Sequence, residues 1–344
     1  MSWQLGDWFL VLVSLGGAFA LTGFARLYAV GSGLVDVPNL RSSHTESTPR
    51  GGGIAVVTVL VPGLCWWGWS GGIVLEAVVA LGGAGVLVAF VGWIDDHRDL
   101  PARWRILAHF LAAAWGLFWL DGLPPLPFFV GSVDFGWIGH GLALLYLVWL
   151  LNLYNFMDGI DGIAGIEAVT VCIGGVVLYA LVVGWVPEVH GLLLLAAAVL
   201  GFLVWNFPKA RIFMGDVGSG FIGVMLGLLS IQAAWVAPEL FWAWVILLGA
   251  FVVDATLTLI RRVWRGEKFY EAHRSHAYQY AARLFGHVPV SLAFAGINVF
   301  WLLPIAALVA IGLLEGFVGV IIAYGALVAL GYRFNAGARE LQEV

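Results

Sequence analysis

Acidic side chains recur at the ends of long apolar stretches in this 344-residue sequence. Asp95 and Asp96 are adjacent at the end of the apolar stretch that begins at Ile73. Neighbouring carboxylates at the edge of a low-dielectric region are costly to ionise together, and such acids often mark functional sites. On a helix their side chains point about 100° apart. The two acids therefore need not share a partner, and one can ligate a cation while the other accepts a proton.

A second group of polar residues lies in the segment LNLYNFMDGIDGIAG. Asn155, Asp158 and Asp161 are spaced three residues apart, so all three line one helical face if the helix continues through them. Gly159 and Gly162 weaken that helix, but they also allow a ligand to approach the backbone. The spacing therefore favours a shared site.

The segment FMGDVGSG joins an aromatic residue, an acid and small residues at the start of a further apolar stretch. Backbone N–H groups at a helix start there are expected to hold phosphate oxygens. Asp216 is suited to hold Mg²⁺, which usually takes one or two carboxylates together with substrate phosphates. The glycine and lysine spacing of a P-loop is absent.

Basic and imidazole side chains collect in two other loops. His273 and His276, with Arg274 between them, lie in the segment EAHRSHAYQ, and Arg41, His44 and Arg50 precede a run of three glycines. Phosphate binding is the favoured interpretation for both loops. Zinc binding is an alternative for the two histidines, although no third ligand is evident, and a solvated basic surface is an alternative for both loops.

The composition places the elements that carry these residues in a lipid bilayer. Hydrophobic residues make up 62% of the chain and charged residues only 11%, whereas a soluble domain is about one quarter charged. We therefore expect an all-α polytopic membrane protein, folded as a single domain over residues 1–344, with a retained first span and a small external β-hairpin that turns at Gly131-Ser132. About eleven spans are expected, at residues 8–30, 54–69, 73–94, 104–120, 137–156, 163–184, 190–206, 219–236, 240–260, 290–313 and 316–333.

The basic residues predict the orientation. All 16 lysines and arginines fall on one set of ends and loops, and the opposite loops have none. By the positive-inside rule, the N-terminus is outside, the C-terminus is cytoplasmic, and the polar segments face the cytoplasm. Glu167, Asp254 and His140 lie within or near spans and are expected to be buried, partnered groups without a catalytic role.

Five segments in order carry a family resemblance: DVPNLRSSHTESTPRGGG, DDHRDLPARWR, NLYNFMDGIDGIAG, NFPKARIFMGDVGSG and HRSH. Together they resemble the polyprenyl-phosphate N-acetylhexosamine-1-phosphate transferases over about residues 31–280. The resemblance implies transfer of a sugar 1-phosphate from a UDP-N-acetylhexosamine to undecaprenyl phosphate, with release of UMP. It also implies Mg²⁺, with Mn²⁺ as an alternative, and an active site on the cytoplasmic side of the bacterial inner membrane.

The same resemblance assigns roles to individual residues. It implies catalytic roles for Asp95, Asp96, Asp158 and Asp161, and metal binding by Asp216 with Asp96. Substrate contacts are expected at Arg41, His44, Asn155, Asn206, Phe213, His273, Arg274 and His276, with Phe213 against uracil. Partners beyond the substrates are membrane lipids, no nucleic acid is expected, and a homodimer stays open.

Several alternatives remain open from the sequence. The HRSH segment has fewer histidines than the peptidoglycan branch of the family, and Thr45-Glu46-Ser47 lacks that branch's lysine. These departures favour the branch that starts O-antigen and other surface polysaccharides over a phospho-N-acetylmuramoyl-pentapeptide transferase. A secondary transporter would need acids near the bilayer midplane and paired broken helices. A CDP-alcohol-type phosphotransferase would not need the FMGD or HRSH segments.

Overall fold

Helices account for nearly all of the regular structure. The computed structural model describes residues 5–38, 43–44, 46–129, 131–268 and 273–339. Within these residues the helices are α1 (Leu5–Ser32), α2 (Ile54–Trp69), α3 (Leu75–His97), α4 (Ala102–Trp119), α5 (Gly136–Met157), α6 (Ile163–Val182), α7 (Glu188–Asn206), α8 (Asp216–Val236), α9 (Glu239–Leu247), α10 (Gly249–Trp264), α11 (Ala277–Phe285), α12 (His287–Ile297), α13 (Leu303–Ala310) and α14 (Gly316–Arg333). A π-helical turn, Asn298–Leu302, joins α12 to α13. The strands are β1 (Val35–Asp36), β2 (Thr48–Pro49), β3 (Leu126–Phe128) and β4 (Gly131–Val133).

The apolar helices confirm an all-α polytopic membrane protein. In the described part of the chain, 8 helices are long and apolar enough to cross a bilayer, and α9 with α10 would make a ninth. The α9–α10 pair is bent by 66°, which divides the single span expected at 240–260. The spans expected at 54–69 and 104–120 correspond to α2, which has 16 residues, and to α4, which carries two arginines in its first turn.

Helix α8 forms the centre of the bundle. Residues 217–234 of this helix are all buried, and the helix packs against α3, α5 and α9. Glycines allow the close approach: a Cβ atom on Gly223 would lie 2.8 Å from the Leu150 carbonyl oxygen of α5. A Cβ atom on Gly92 of α3 would lie 2.5 Å from the Asp216 carbonyl oxygen. The second contact brings the end of α3 against the start of α8.

The first loop, between α1 and α2, is bound to the segment before α8. Strands β1 and β2 form a short antiparallel pair in this loop. Beyond β2, the N–H groups of Gly52 and Gly53 donate to the carbonyl oxygens of Phe213 and Met214, at 2.9 and 2.8 Å. Phe213 in turn donates its N–H to the Pro49 carbonyl oxygen at 2.8 Å. Two segments that are distant in sequence therefore run side by side.

The expected β-hairpin between α4 and α5 is confirmed, but the expected position of its turn is wrong. Strands β3 and β4 pair Phe128 with Gly131, so Gly131 and Ser132 belong to a strand and the chain reverses before them. Phe129 takes the positive φ of 37° that the reversal requires. Bulky residues rarely adopt such a conformation, so nothing in the sequence marks Phe129 as the turn residue.

The three polar residues expected to be buried and partnered all have partners. Asn298, in the π-helical turn, donates to Glu167 at 2.6 Å. Asp254 accepts the N–H groups of Ala277 and Tyr278 at the start of α11, both at 2.9 Å. The half-buried His140 accepts the N–H of Leu123 at 3.2 Å.

Candidate active site

The two adjacent aspartates at the end of α3 have separate partners, as their spacing on a helix allows. Asp95 accepts a hydrogen bond from Arg105 of α4 and another from the N–H of Leu100, both at 2.6 Å. Asp96 accepts the N–H groups of Asp216 and Val217, at 3.1 and 3.2 Å. Asp95 therefore joins α3 to α4, whereas Asp96 joins α3 to α8.

Asp96 acts as the side-chain cap of α8. Its carboxylate occupies the first two N–H groups of the helix, where partial positive charge favours an anion. The next two N–H groups, of Gly218 and Ser219, bond to the Gly215 carbonyl oxygen, both at 3.1 Å. The expectation that these N–H groups hold phosphate oxygens is therefore wrong. The anion that the helix start favours comes from Asp96 in the chain itself.

Asp216 lies at the centre of the remaining polar contacts. Its Oδ1 accepts a hydrogen bond from Asn155 of α5 at 2.5 Å, and Asn155 also bonds to Ser219 at 3.3 Å. Its Oδ2 lies 3.4 Å from the Arg105 guanidinium. The Asp216 side chain remains 34% exposed, so its carboxylate is available to a ligand.

Two cavities meet at Asn155 and Asp216. One, of about 460 Å³, is mainly apolar and lies between α3, α4, α5 and α8. Its polar lining residues include Asp95, Arg105, His109 and Asn152. The rest of its wall is largely aliphatic and includes Val88, Val91, Ile106, Leu145, Val148 and Leu259. The other, of about 320 Å³, is polar and is lined by residues that include Asp36, Ser43, His44, Arg50, Asp96, Asp158, Phe213, His273 and Gln279. Asn155 and Asp216 line both.

The carboxylates in the polar cavity fit a divalent cation completed by ligand oxygens. Burial raises the pKa of Asp158 well above its usual range, and the neighbouring carboxylates of Asp216 and Asp96 raise it further. Among residues 5–38, 43–44, 46–129, 131–268 and 273–339, no three acid, histidine or cysteine side chains enclose a metal site on their own. Mg²⁺ does not need such an enclosure, because it usually keeps few protein ligands and binds substrate phosphates.

The helix does not continue through the segment that carries Asp158 and Asp161. α5 ends at Met157, and Gly162 takes a φ of 76° before α6 begins. The expected shared helical face is therefore wrong, because the glycine allows a turn at this point. Asp158 lines the polar cavity, whereas the Asp161 carboxylate lies 3.3 Å from His287 of α12.

The HRSH loop contributes one of its two histidines to the polar cavity. His273 lines the cavity, and burial lowers its pKa to about 3, with help from the nearby His276 and Arg262. Its ring is therefore a neutral hydrogen-bonding group. His276 is buried outside that lining, stacks on His273 at 4.9 Å and lies 3.4 Å from Asp254. His276 and Asp254 thus position the loop.

The other residues expected to contact substrate fall into different positions. Phe213 lines the polar cavity, and His44 packs against its ring edge with centroids 4.9 Å apart. The Asn206 amide accepts the N–H of Gly162 and donates to the Ile212 carbonyl oxygen, so it fixes the wall of the cavity. Arg274 is not among the residues that line either cavity. Arg41 lies outside the described residues.

Two basic residues near this site, Arg105 and His287, were not selected from the sequence, whereas Arg50 was a phosphate-binding candidate. Arg105 pairs with Asp95 because α4 runs back along α3 after a short turn that ends at Pro101. Arg50 lines the polar cavity and donates to the Asp96 carbonyl oxygen at 2.5 Å. His287 reaches Asp161 from a helix more than a hundred residues further along. No short-range spacing signals these contacts, since each depends on the packing of separate helices.

Comparison with known proteins gives a consistent family. Residues 78–234 match the model of glycosyl transferase family 4. The probable undecaprenyl-phosphate N-acetylglucosaminyl 1-phosphate transferase of Bacillus subtilis is 30% identical over 272 residues, which cover 77% of this chain and 74% of that protein.

Two other relatives align over shorter stretches. The decaprenyl-phosphate N-acetylglucosaminephosphotransferase of Mycolicibacterium smegmatis is 31% identical over 65% of this chain and 60% of its own length. The phospho-N-acetylmuramoyl-pentapeptide-transferase of a Synechococcus species is 32% identical over 64% of this chain and 65% of its own length. The alignments with these two relatives therefore cover less than two thirds of their lengths. From the family match and the long alignment with the Bacillus protein, we conclude that this chain belongs to glycosyl transferase family 4.

Proposed function

We propose that this chain transfers an N-acetylhexosamine 1-phosphate from a UDP-sugar to undecaprenyl phosphate and releases UMP. Relatives named for N-acetylglucosamine and for undecaprenyl or decaprenyl phosphate support both substrates. UDP-N-acetylglucosamine is accordingly the first donor to test. The reaction would start a cell-surface polysaccharide such as O-antigen.

The meeting of the two cavities is the observation that carries this proposal. A polyprenyl phosphate needs an apolar channel for its chain and a charged end for its phosphate, and the cavity that ends at Asp95 and Arg105 supplies both. A nucleotide sugar needs a polar cavity with an aromatic surface, and the cavity beside Phe213 supplies it. The two substrates would meet at Asn155 and Asp216.

The residues on each side suggest a direct displacement. Arg105 would hold the lipid phosphate, and Asp95, which faces the same cavity, would orient it and accept its proton. A lipid phosphate oxygen then forms a bond to the β-phosphorus of the donor. The bond from that phosphorus to the bridging oxygen breaks, and UMP leaves with the electron pair. Positioning and charge neutralisation account for most of the catalysis in such reactions.

Asp216 would hold the Mg²⁺ with Asp158 or Asp96 as a second acid. Of these two, Asp158 is favoured because both carboxylate oxygens of Asp96 already accept N–H groups of α8. The bound ion would neutralise the diphosphate. Asn155 fixes the Asp216 carboxylate through its 2.5 Å hydrogen bond, and the neutral His273 would donate a hydrogen bond to a donor oxygen.

A two-step route through a covalent aspartyl intermediate is the alternative mechanism. It predicts that radiolabelled UMP exchanges into the UDP-sugar without any lipid acceptor. The direct displacement predicts no exchange until undecaprenyl phosphate is added. The measurement therefore separates the two routes in a single preparation.

The proposed topology places this chemistry at the cytoplasmic face of the bacterial inner membrane. The basic loops would be inside, the N-terminus outside, and α2 and α4 would add two spans to reach eleven. Both substrates suit that face, because a lipid phosphate lies at the headgroup level and a nucleotide sugar is cytosolic. Labelling of single cysteines placed in the loops at 70–72 and 98–101 would test the orientation.

The second candidate function is phospho-N-acetylmuramoyl-pentapeptide transfer. The relative from Synechococcus, at 32% identity, is the observation that favours it. The reaction and the lipid acceptor are the same in kind, so only the donor separates the two candidates. A panel of UDP-sugars that includes UDP-N-acetylmuramoyl-pentapeptide decides between them.

Release of UMP by purified protein with undecaprenyl phosphate, Mg²⁺ and this panel is the test of the proposed function. Asp216→Ala should lower turnover by several orders of magnitude. Glu76→Gln is the matched control, because it changes an acid at the opposite end of α3 from the aspartate pair. If no donor gives UMP, the proposed reaction is wrong; if Asp216→Ala retains the wild-type rate, the proposed site is wrong.

A further inference from the structure

A histidine outside both cavities connects the loop on one side of the polar cavity to the turn on the other. His287, the first residue of α12, places its Nδ1 3.3 Å from the Asp161 carboxylate and its Nε2 3.1 Å from the Ser43 carbonyl oxygen. The His287 side chain is 21% exposed and that of Asp161 is 14% exposed. The bridge is therefore partly shielded from water.

Both ends of this bridge adjoin residues that line the polar cavity. Ser43 and His44 line the cavity from the first loop, and the His44 ring contacts Phe213. On the other side, Asp158, Gly159 and Ile160 line the cavity immediately before Asp161. A link from residue 43 to residue 161 thus fixes the distance between two walls of the same cavity.

Helix α12 holds the turn and the loop in different ways. Ser291, one helical turn after His287, donates its hydroxyl to the Asp161 carbonyl oxygen at 2.8 Å. Through the Ser291 hydroxyl, the turn keeps a contact with α12 that does not depend on the imidazole. Among its described residues, the loop contacts α12 through the His287 ring at Ser43. Loss of the imidazole should consequently release the loop more than the turn.

The geometry also defines the state of the ring. Its shorter contacts are to a carboxylate oxygen and a carbonyl oxygen, both acceptors, whereas the Asp161 N–H lies further from Nδ1 at 3.4 Å. An imidazole that donates from both nitrogens is the charged form. Hydrogen bonds of a charged donor are stronger than those between neutral groups, so one side chain can hold a loop in place.

We propose that His287 is a positioning residue for the nucleotide-sugar donor, because it holds residues 43–44 against the polar cavity. This inference rests on the proposed function. Asp161 then acts through His287 and does not contact the reacting groups. The apolar cavity lies on the other side of Asn155 and Asp216, and no described residue of the first loop lines it. Binding of the lipid acceptor should therefore be independent of His287.

Three substitutions at position 287 separate the two contacts. In Asn the amide nitrogen lies near the position of Nδ1, so His287→Asn keeps the bond to Asp161 and loses the bond to Ser43. In Gln it lies near the position of Nε2, so His287→Gln keeps the bond to Ser43. His287→Ala loses both. If His287 only stabilised α12, the donor KM of the three variants would not depend on whether each side chain keeps the bond to Ser43.

The expected result is a change in donor binding. KM for the UDP-sugar should rise about tenfold or more in His287→Ala, as for the loss of a hydrogen bond to a charged group. His287→Asn should match it, and His287→Gln should lie closer to wild type. The KM for undecaprenyl phosphate should stay unchanged in all three. His190→Gln, at the opposite end of the bundle, where the ring contacts Pro187, is the control.

Hydrogen–deuterium exchange gives a readout that does not depend on the reaction. Amides of residues 43, 44 and 46–48 should exchange faster in His287→Ala, while those of α7 stay at the wild-type rate. A wild-type donor KM in an active His287→Ala enzyme, or equal loop exchange in the two proteins, would overturn the inference. Absence of UMP from the wild type itself would instead count against the proposed function.

Discussion

Replacement of Asp96 by Asn tests whether this acid stabilises the fold before it serves any chemistry. The Asp96 side chain is 3% exposed, and its two oxygens accept the N–H groups of Asp216 and Val217. Asn keeps one acceptor and turns an NH₂ donor towards the other N–H. A hydrogen bond to a charged group is worth about 1.5–3 kcal/mol, and the charge at the helix start adds about 0.3–1 kcal/mol. We therefore expect a loss of about 2–4 kcal/mol.

The matched variant is Asp216→Asn, which removes a charge from the same cluster without uncapping α8. Asp216 is one of the carboxylates that raise the pKa of Asp158. Its neutralisation relieves repulsion, and Asn can still bond to Asn155. We expect its thermal stability to equal or slightly exceed that of the wild type. Both variants should lose the transferase activity, so activity alone does not distinguish their roles.

Thermal unfolding in one detergent, followed by tryptophan fluorescence at a fixed scan rate, is the assay, because unfolding of such proteins is often irreversible. For a chain of 344 residues, with an unfolding entropy of about 2.1 cal/mol/K per residue, a change of 2–4 kcal/mol corresponds to a fall in Tm of about 3–6 °C. Asp96→Asn within about 1 °C of the wild type would refute the capping argument. A large fall for Asp216→Asn would show that the acids are not in mutual repulsion.

Three further outcomes are expected. First, His273 has a pKa of about 3 in the fold against 6.5 for an unperturbed ring, so the unfolded chain alone takes up this proton as pH falls from about 6.5 towards 3. The free energy of unfolding should therefore fall by at most about 1.4 kcal/mol for each unit by which the pH is lowered. His273→Asn should show a shallower fall in Tm between pH 7 and 5 than the wild type. An equal fall in the two proteins would contradict the lowered pKa of His273. Second, chelation with EDTA should abolish UMP release, and added Mg²⁺ or Mn²⁺ should restore it. Third, Gly162→Ala places a Cβ atom 2.6 Å from Phe207 at a φ of 76° and should lower Tm, whereas Gly184→Ala, at a φ of 79° in open space, should cost only the backbone strain of about 1–2 kcal/mol.

The sequence was sufficient for the membrane architecture and for the convergence of its polar segments. Apolar length predicts the eight long helices, because a bilayer requires about twenty apolar residues per span. The motif residues Asp96, Asn155, Asp158 and Asp216 meet at one cavity, although they come from three separate parts of the chain. Spans with charges or breaks were harder to define, as α4 and the bent α9–α10 pair illustrate.

Individual roles within the site were not predictable, because they depend on which helices pack together. Nothing in the sequence around Asp96 indicates that its carboxylate caps a helix that begins 120 residues later. The spacing of Asp158 and Asp161 suggested one helical face, but Gly162 ends that arrangement and turns Asp161 towards His287. Local spacing describes a single helix only, whereas these contacts join different helices.

The structure explains how two adjacent carboxylates are tolerated at the end of an apolar helix. Arg105 balances the charge of Asp95, and the N–H groups at the start of α8 balance that of Asp96. The negative charge without such balance lies on the other side of the cluster, where burial and neighbouring acids raise the pKa of Asp158. A cation would gain most from binding between Asp158 and Asp216. Asp95 and Asp96 would then not be needed as ligands of that cation, because Arg105 and the N–H groups at the start of α8 already compensate their charges.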